Sequence, residues 1–156
     1  DMVAILKNAV LSYSEIADDM DIFLDCKINF DEIPVAFSNS DRITQVIIIL
    51  LDNAIKYTPS DGIITLDANW DESVITLSIR DTGIGIAIED IPFVFERFYK
   101  TDKSHSTKGT GLGLSIAKEI ITRLDEEIFV ESELDKGTVF TFTVVSNCIK
   151  VSPLMN

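Results

Sequence analysis

Apolar residues recur along this chain with two different periods, and the switch between them predicts the elements in order. Over residues 2–17, Ile5, Leu6, Ala9, Val10, Tyr13, Ile16 and Ala17 fall at the spacing of a helix with one apolar stripe. DIFLDCKINF, residues 21–30, alternates and predicts a strand, with DEIPVAFSN as the loop after it. SDRITQVIIILLDNAIKY, residues 40–57, is the most strongly patterned segment. Ile43, Val46, Ile47, Leu50, Leu51 and Ala54 form its buried stripe, Ser40 or Asp41 stands where an N-cap is wanted, and Pro59 lies just past the end. GIITLDANW and SVITLSIRD read as two strands joined by an acidic turn. An irregular stretch, 82–111, leads into a helix, LGLSIAKEIITRL, with Leu112, Ile116, Ala117, Ile120 and Leu124 on one side. EIFVES and GTVFTFTVV alternate again as a closing hairpin, and residues 148–156 read as a tail.

Strands grouped in hairpins between helices predict an α+β fold. The expected architecture is a two-layer α/β sandwich, a mixed and mostly antiparallel sheet covered on one face by about three helices. No repeat, low-complexity tract or linker divides the chain, so residues 1–147 are expected to form one domain. A long irregular loop inside such a domain is usually functional, which directs attention to residues 82–111.

Composition narrows the partners. With 26 acidic against 13 basic residues the net charge is -13, which argues against nucleic acid and gives no attraction to anionic lipid. Local backbone amides and a few bases can still hold a phosphate. Cys26 and Cys148 match no metal or redox spacing and read as reduced thiols of a cytosolic protein. The longest apolar run, VIIILL at 46–51, is far short of the roughly 20 residues that span a bilayer. No secretory signal opens the chain, and a membrane anchor, if the protein has one, is expected outside this segment.

The first chemical candidate is the acid that ends a strand in DTGIGI, residues 81–86. By strand parity Ile75, Leu77 and Ile79 share a face that Asp81 continues, whereas Val74, Thr76, Ser78 and Arg80 form a wetter face. Asp81 therefore points with the core, where a carboxylate needs a partner. On the helix of residues 40–57, Asn53 lies at the edge of the buried stripe with Ile49 and Lys56 on the same flank. Such a pair can offer an amide oxygen and an ammonium to one ligand, although a boundary asparagine and a surface lysine have the same spacing. KGTGLGLSIAK, residues 108–118, runs alternating glycines into a helix start, which lets backbone amides approach an anion closely. It has neither the dinucleotide-binding spacing nor the GK[ST] of a P-loop. Between the glycine segments, Phe93, Phe95, Phe98 and Tyr99 can anchor a loop while Arg97, Lys100 and Lys103 supply cations.

Taken together and in this order, LLDNAIKYTP, DTGIGI, PFVFERFYK, KGTGLGLSIAKEI and KGTVFTF resemble the asparagine box, first glycine box, aromatic box and second and third glycine boxes of sensor histidine kinases. The resemblance is to their ATP-binding catalytic domain, of the Bergerat type, and covers roughly residues 40–145. It implies that Asp81 accepts a hydrogen bond from the adenine amino group. It further implies that Asn53 binds Mg²⁺ and through it the phosphates, that Lys56 reaches a phosphate, and that Tyr57 packs on adenine. By the same resemblance Gly83 and Gly85 let the backbone pass close to the base, and Gly109, Gly111 and Gly113 frame the triphosphate. Ile86, Thr110, Leu112 and Thr138 complete the nucleotide-binding set on the matched boxes. Residues near 97–108 correspond to the ATP lid, with Arg97 and Lys100 as basic catalytic candidates.

Two departures qualify the picture. Ile49 stands where kinases of this type usually carry a second asparagine, and where the related gyrase, heat-shock chaperone and mismatch-repair ATPases carry a water-activating glutamate. An isoleucine cannot act as a base, which disfavours an ATPase of those types. The one histidine, His105, lies in the lid segment and not in the family's acceptor box, so the acceptor is expected on a separate dimerising helical module. The expected function is binding of Mg-ATP and donation of its γ-phosphoryl group to that histidine, with a response regulator downstream. The domain alone is expected to be monomeric and to be the cytoplasmic part of a membrane-anchored sensor. A degenerate nucleotide-binding regulatory module is the alternative, motivated by Ile49. A serine kinase acting on a partner protein shares the fold but not so complete an aromatic box.

Overall fold

The computed structural model describes residues 1–100 and 111–146. Helix α1 (Met2–Asp19) starts at Asp1, whose carboxylate accepts from the amides of Val3 and Ala4 at 3.0 and 3.3 Å. It buries Met2, Leu6, Tyr13 and Ala17. Asp21 then takes a left-handed conformation (φ 57°), and strand β1 (Phe23–Cys26) follows, shorter than the ten alternating residues suggest. After Lys27 the chain leaves the sheet through a turn held by the Asn29 side chain, which accepts from Asp31 N at 3.1 Å.

Helix α2 (Ser40–Tyr57) carries the predicted stripe intact: Ile43, Val46, Ile47, Leu50, Leu51 and Ala54 are all buried, with Ile55 in addition. Its N-cap is Asn39, one residue before the two candidates, because Asn39 stays extended and its side chain accepts from Arg42 N at 3.1 Å. Thr58 ends the helix in an extended conformation, as the residue before Pro59 is bound to be.

Strands β2 (Ile63–Trp70) and β3 (Val74–Asp81) form the predicted hairpin. Asp71 organises its turn: the amides of Ser73 and Val74 donate to its carboxylate at 2.8 and 2.9 Å and hold its pKa below the ordinary range. Helix α3 (Gly113–Arg123) and the hairpin of β4 (Ile128–Glu133) and β5 (Gly137–Val145) complete the order. The sheet runs β1-β2-β3-β5-β4, with β1 parallel to β2 and every other pair antiparallel.

The fold is thus the expected α+β sandwich, with three α-helices and a five-stranded mixed sheet among the described residues. Ile64, Leu66, Ala68, Ile75, Leu77, Ile79, Phe140, Phe142 and Val144 are buried on the face toward the helices. The opposite face carries Thr65, Thr76, Ser78, Thr141 and Thr143, all half-buried. Helix α3 is turned relative to expectation: Ile116 is 38 % exposed, while Ala117, Ile120 and Ile121 make the buried stripe. Among the described residues no helix is long and apolar enough to cross a membrane.

Candidate functional site

Asp81 is the last residue of β3 and lies between Ile64 of β2 and Thr138 of β5 in the ladder. Strand parity turns its side chain to the helix side, where it is 5 % exposed. Burial raises its pKa above the ordinary carboxylate value, and the backbone amides of Gly83 and Thr138 pull the other way. The Gly83 amide donates to Oδ1 at 2.8 Å. This carboxylate lines the floor of a cleft together with Asn53, Tyr57, Ile84, Gly85, Ile86 and Thr138.

The loop after β3 is pressed into place on both sides. A Cβ at Gly83 would lie 2.4 Å from the Tyr57 carbonyl oxygen, and one at Gly85 (φ 71°) would lie 2.1 Å from the Glu133 carbonyl oxygen. Only a residue without a side chain lets the backbone pass there. Ser132 on β4 locks the arrangement. Its hydroxyl accepts from Ile86 N at 2.7 Å, donates to the Gly137 carbonyl at 2.9 Å and lies 2.7 Å from the Thr138 hydroxyl. The Asp135 amide adds a bond to Ile84 O at 2.8 Å.

The cleft continues into an outer wing lined by Ile49, Asp52, Asn53, Lys56, Gly111 and Gly113, and Tyr57, Val94, Tyr99, Lys100 and Leu114 line both parts. Lys56 Nζ lies 5.2 Å from the centre of the Tyr57 ring. A Cβ at Gly113 would meet only Ile49 Cγ2, at 3.5 Å. The first residues of α3 open on this wing, and the unpaired amides of a helix start suit an anion.

The aromatic segment closes the same side. Phe95 meets Phe140 edge-on at 6.1 Å and carries Lys118 Nζ 5.7 Å from its ring centre. Phe93 packs on Tyr99 at 5.7 Å, and the Tyr99 hydroxyl donates to Asp90. Phe98 adopts φ 64°, and its amide donates to Gly111 O at 3.0 Å, so this segment is clipped to the glycine loop. Phe98 itself is 70 % exposed.

Residues 38–147 match the family described as histidine kinase-, DNA gyrase B- and HSP90-like ATPases. The chain belongs to that family. Sensor histidine kinase WalK of Bacillus subtilis (strain 168) is 44% identical over 110 residues, 68% of this chain and 18% of WalK. Sensor protein SrrB of Staphylococcus aureus (strain NCTC 8325 / PS 47) is 43% identical over 143 residues, 89% of this chain and 24% of SrrB. The chain thus spans less than a quarter of the length of either relative. The structure of full-length ShkA in complex with AMPPNP superposes with a TM-score of 0.82 at 26% identity, covering 94% of this chain and 30% of ShkA.

In this member of the ATPase family, Asn53, Lys56, Tyr57, Lys100, Asp81, Gly85, Ile86, Gly111, Gly113 and Thr138 all line the cleft. Gly83 stands behind it through its bond to Asp81, and Leu112 is the cap position of α3, its carbonyl accepting from Ser115 Oγ at 2.7 Å. Arg97 is not among the lining residues, and its guanidinium lies 3.9 Å from Glu119 on α3. Gly109, Thr110, Lys103, His105 and residues 148–156 lie outside the described residues. The pattern did not single out Ser132, Asp52, Val94 or Leu114. Leu114 directly follows Gly113 in the second glycine box, a signal available in the sequence. Ser132 had no such signal, because its role follows from β-strand register.

Proposed function

We propose that this chain is the catalytic domain of a sensor histidine kinase, which binds Mg-ATP and donates its γ-phosphoryl group to a histidine on a separate dimerisation and phosphoacceptor module of the same kinase. One observation carries the reading: a carboxylate, Asp81, is buried at the floor of a cleft whose other end holds Asn53, Lys56 and the start of α3. A buried carboxylate that costs desolvation is explained by a donor arriving with the ligand, and the adenine amino group is such a donor. Tyr57 supplies an aromatic face beside it, and Ile84, Ile86 and Val94 supply apolar walls.

At the outer wing the Asn53 amide oxygen is a hard donor that suits Mg²⁺, and Lys56 adds a cation for phosphate oxygens. Mg²⁺ when bound would neutralise phosphate charge. The amides at the start of α3, with Gly109, Thr110, Gly111 and Gly113, would hold the phosphate chain. Residues near 97–108 would serve as the lid, with Lys100, which lines the outer wing, and Arg97, once turned from Glu119, as its cations. Phosphoryl transfer asks mainly for such positioning and charge stabilisation, and the nucleophile is the acceptor imidazole. A response regulator would receive the phosphoryl group next, and the domain would work as a monomeric, cytoplasmic unit of a membrane-anchored sensor.

The test is calorimetric titration of the purified chain with ATP, with and without Mg²⁺, beside Asp81→Asn. Saturable binding that Mg²⁺ strengthens and the variant abolishes supports the kinase reading. Ile49, apolar at the phosphate end of the cleft, favours a second reading, a regulatory module that has lost nucleotide. Absence of binding at millimolar ATP by folded protein would leave that one standing.

A further inference from the structure

Helix α1 lies before the matched segment 38–147, yet one of its side chains bonds to a residue that lines the cleft. Tyr13 is 7 % exposed, and its hydroxyl donates to Asp52 Oδ1 at 2.5 Å. Asp52 lines the outer wing next to Asn53 and Lys56. At about 100° per residue, positions 49, 52, 53 and 56 of α2 share one flank, so Asp52 borders the place taken by Ile49. A buried tyrosine hydroxyl needs an acceptor, and a main-chain carbonyl would serve; Ile48 O is already 3.5 Å away. The nearer partner is instead a carboxylate, and it is engaged through one oxygen only. Among the described residues no other hydrogen bond or ion pair involves this side chain.

We propose that Asp52, oriented by Tyr13, is a metal-positioning residue: its second oxygen contacts Mg²⁺, or a water on it, and supplies the polar contact that Ile49 does not. The proposal rests on the Mg-ATP reading above. Oxygen donors and retained waters are what Mg²⁺ takes when phosphates supply the rest of its ligands. A hydrogen bond behind a ligating carboxylate fixes its direction and tunes its affinity. Tyr13 then links α1, the first helix of the domain, to the phosphate end of the site.

Charge gives the test a distinctive sign. Without metal, a carboxylate at this wing repels the phosphates; with metal, it attracts the ion that carries them. Asp52→Asn keeps an acceptor for Tyr13 but loses the charge, and Tyr13→Phe keeps the charge but loses the orienting bond. AMPPNP is titrated calorimetrically into the wild-type chain and both variants, with and without Mg²⁺, after circular dichroism has shown each to be folded. The expected result for Asp52→Asn is metal-free affinity equal to or tighter than wild type, with the enhancement by Mg²⁺ reduced about tenfold. Tyr13→Phe should lower the enhancement in the same direction by a smaller factor. An unchanged enhancement in Asp52→Asn, or equal losses with and without metal, would overturn the proposal and leave the kinase reading intact. Wild-type protein that binds no nucleotide in either condition would overturn both.

Discussion

Gly137 sits with its α-carbon against the main chain of Asp81, and a β-carbon there would lie 2.0 Å from the Asp81 carbonyl oxygen. The glycine also holds φ 137°, which side-chain-bearing residues rarely adopt. Two independent reasons therefore exclude any other residue where β5 begins beside the carboxylate. Gly137→Ala is expected to cost about 3 kcal/mol, the strain and the clash together, or a melting temperature lower by roughly 6–12 °C for a chain of this size. Thermal denaturation measures the loss, and nucleotide affinity should fall with it because Asp81 must shift.

The pH dependence of stability follows from burial of Asp81. Its folded pKa is raised above the ordinary 3.8, so the folded state prefers the protonated carboxyl. The stabilising contribution is complete below the unfolded pKa and is lost as pH rises through the folded one. Asp81→Asn removes that titration. The variant should melt above wild type at neutral pH, and its advantage should shrink as pH falls toward 4, while adenine nucleotide binding is lost throughout. Paired melting curves between pH 4 and 8 decide this. An advantage that grew on acidification would contradict the buried, raised carboxyl.

Ser132 serves three partners with one hydroxyl: Ile86 N, Gly137 O and Thr138 Oγ1. Ser132→Ala leaves an amide and a carbonyl without their partner, each costing about 1–3 kcal/mol when water cannot replace it. Ser78 on the outer face provides the control, since its hydroxyl has only a 3.4 Å contact to Thr141. Ser78→Ala should stay within about 0.5 kcal/mol of wild type. Urea denaturation of both variants would separate them, and equal midpoints would remove Ser132 from its assigned role.

The sequence made some of this plain and concealed the rest for physical reasons. Helix α2 was legible because its six-residue stripe is buried without exception, and Asp81 because strand parity is strict. The turn of α3 was not: Leu112, Ile116 and Leu124 have the apolarity of a buried stripe, yet the short helix buries only Ala117, Ile120 and Ile121. Gly137 looks like any hairpin glycine until the β3–β5 register sets it against Asp81. Tyr13 and Asp52 are 39 residues apart, and their bond exists only once α1 docks on α2. Periodicity reports faces; it carries no information about which distant side chains those faces bring together.

Gly113 separates the demands of fold and ligand. Its φ is not in the left-handed region, and a β-carbon would make only an ordinary 3.5 Å contact with Ile49 Cγ2. Nothing in the fold asks for glycine at the first position of α3. Alanine there restricts the unfolded chain and should stabilise the protein by up to about 0.5–1 kcal/mol. A phosphate chain lying against the helix start would meet that same methyl group. Gly113→Ala is therefore expected to raise the melting temperature slightly while weakening Mg-AMPPNP binding, whereas Gly111→Ala, at φ 72° and 2.9 Å from the Phe98 main chain, should lose both. A Gly113→Ala protein that is more stable and binds nucleotide as tightly as wild type would mean that the phosphates do not lie over this turn.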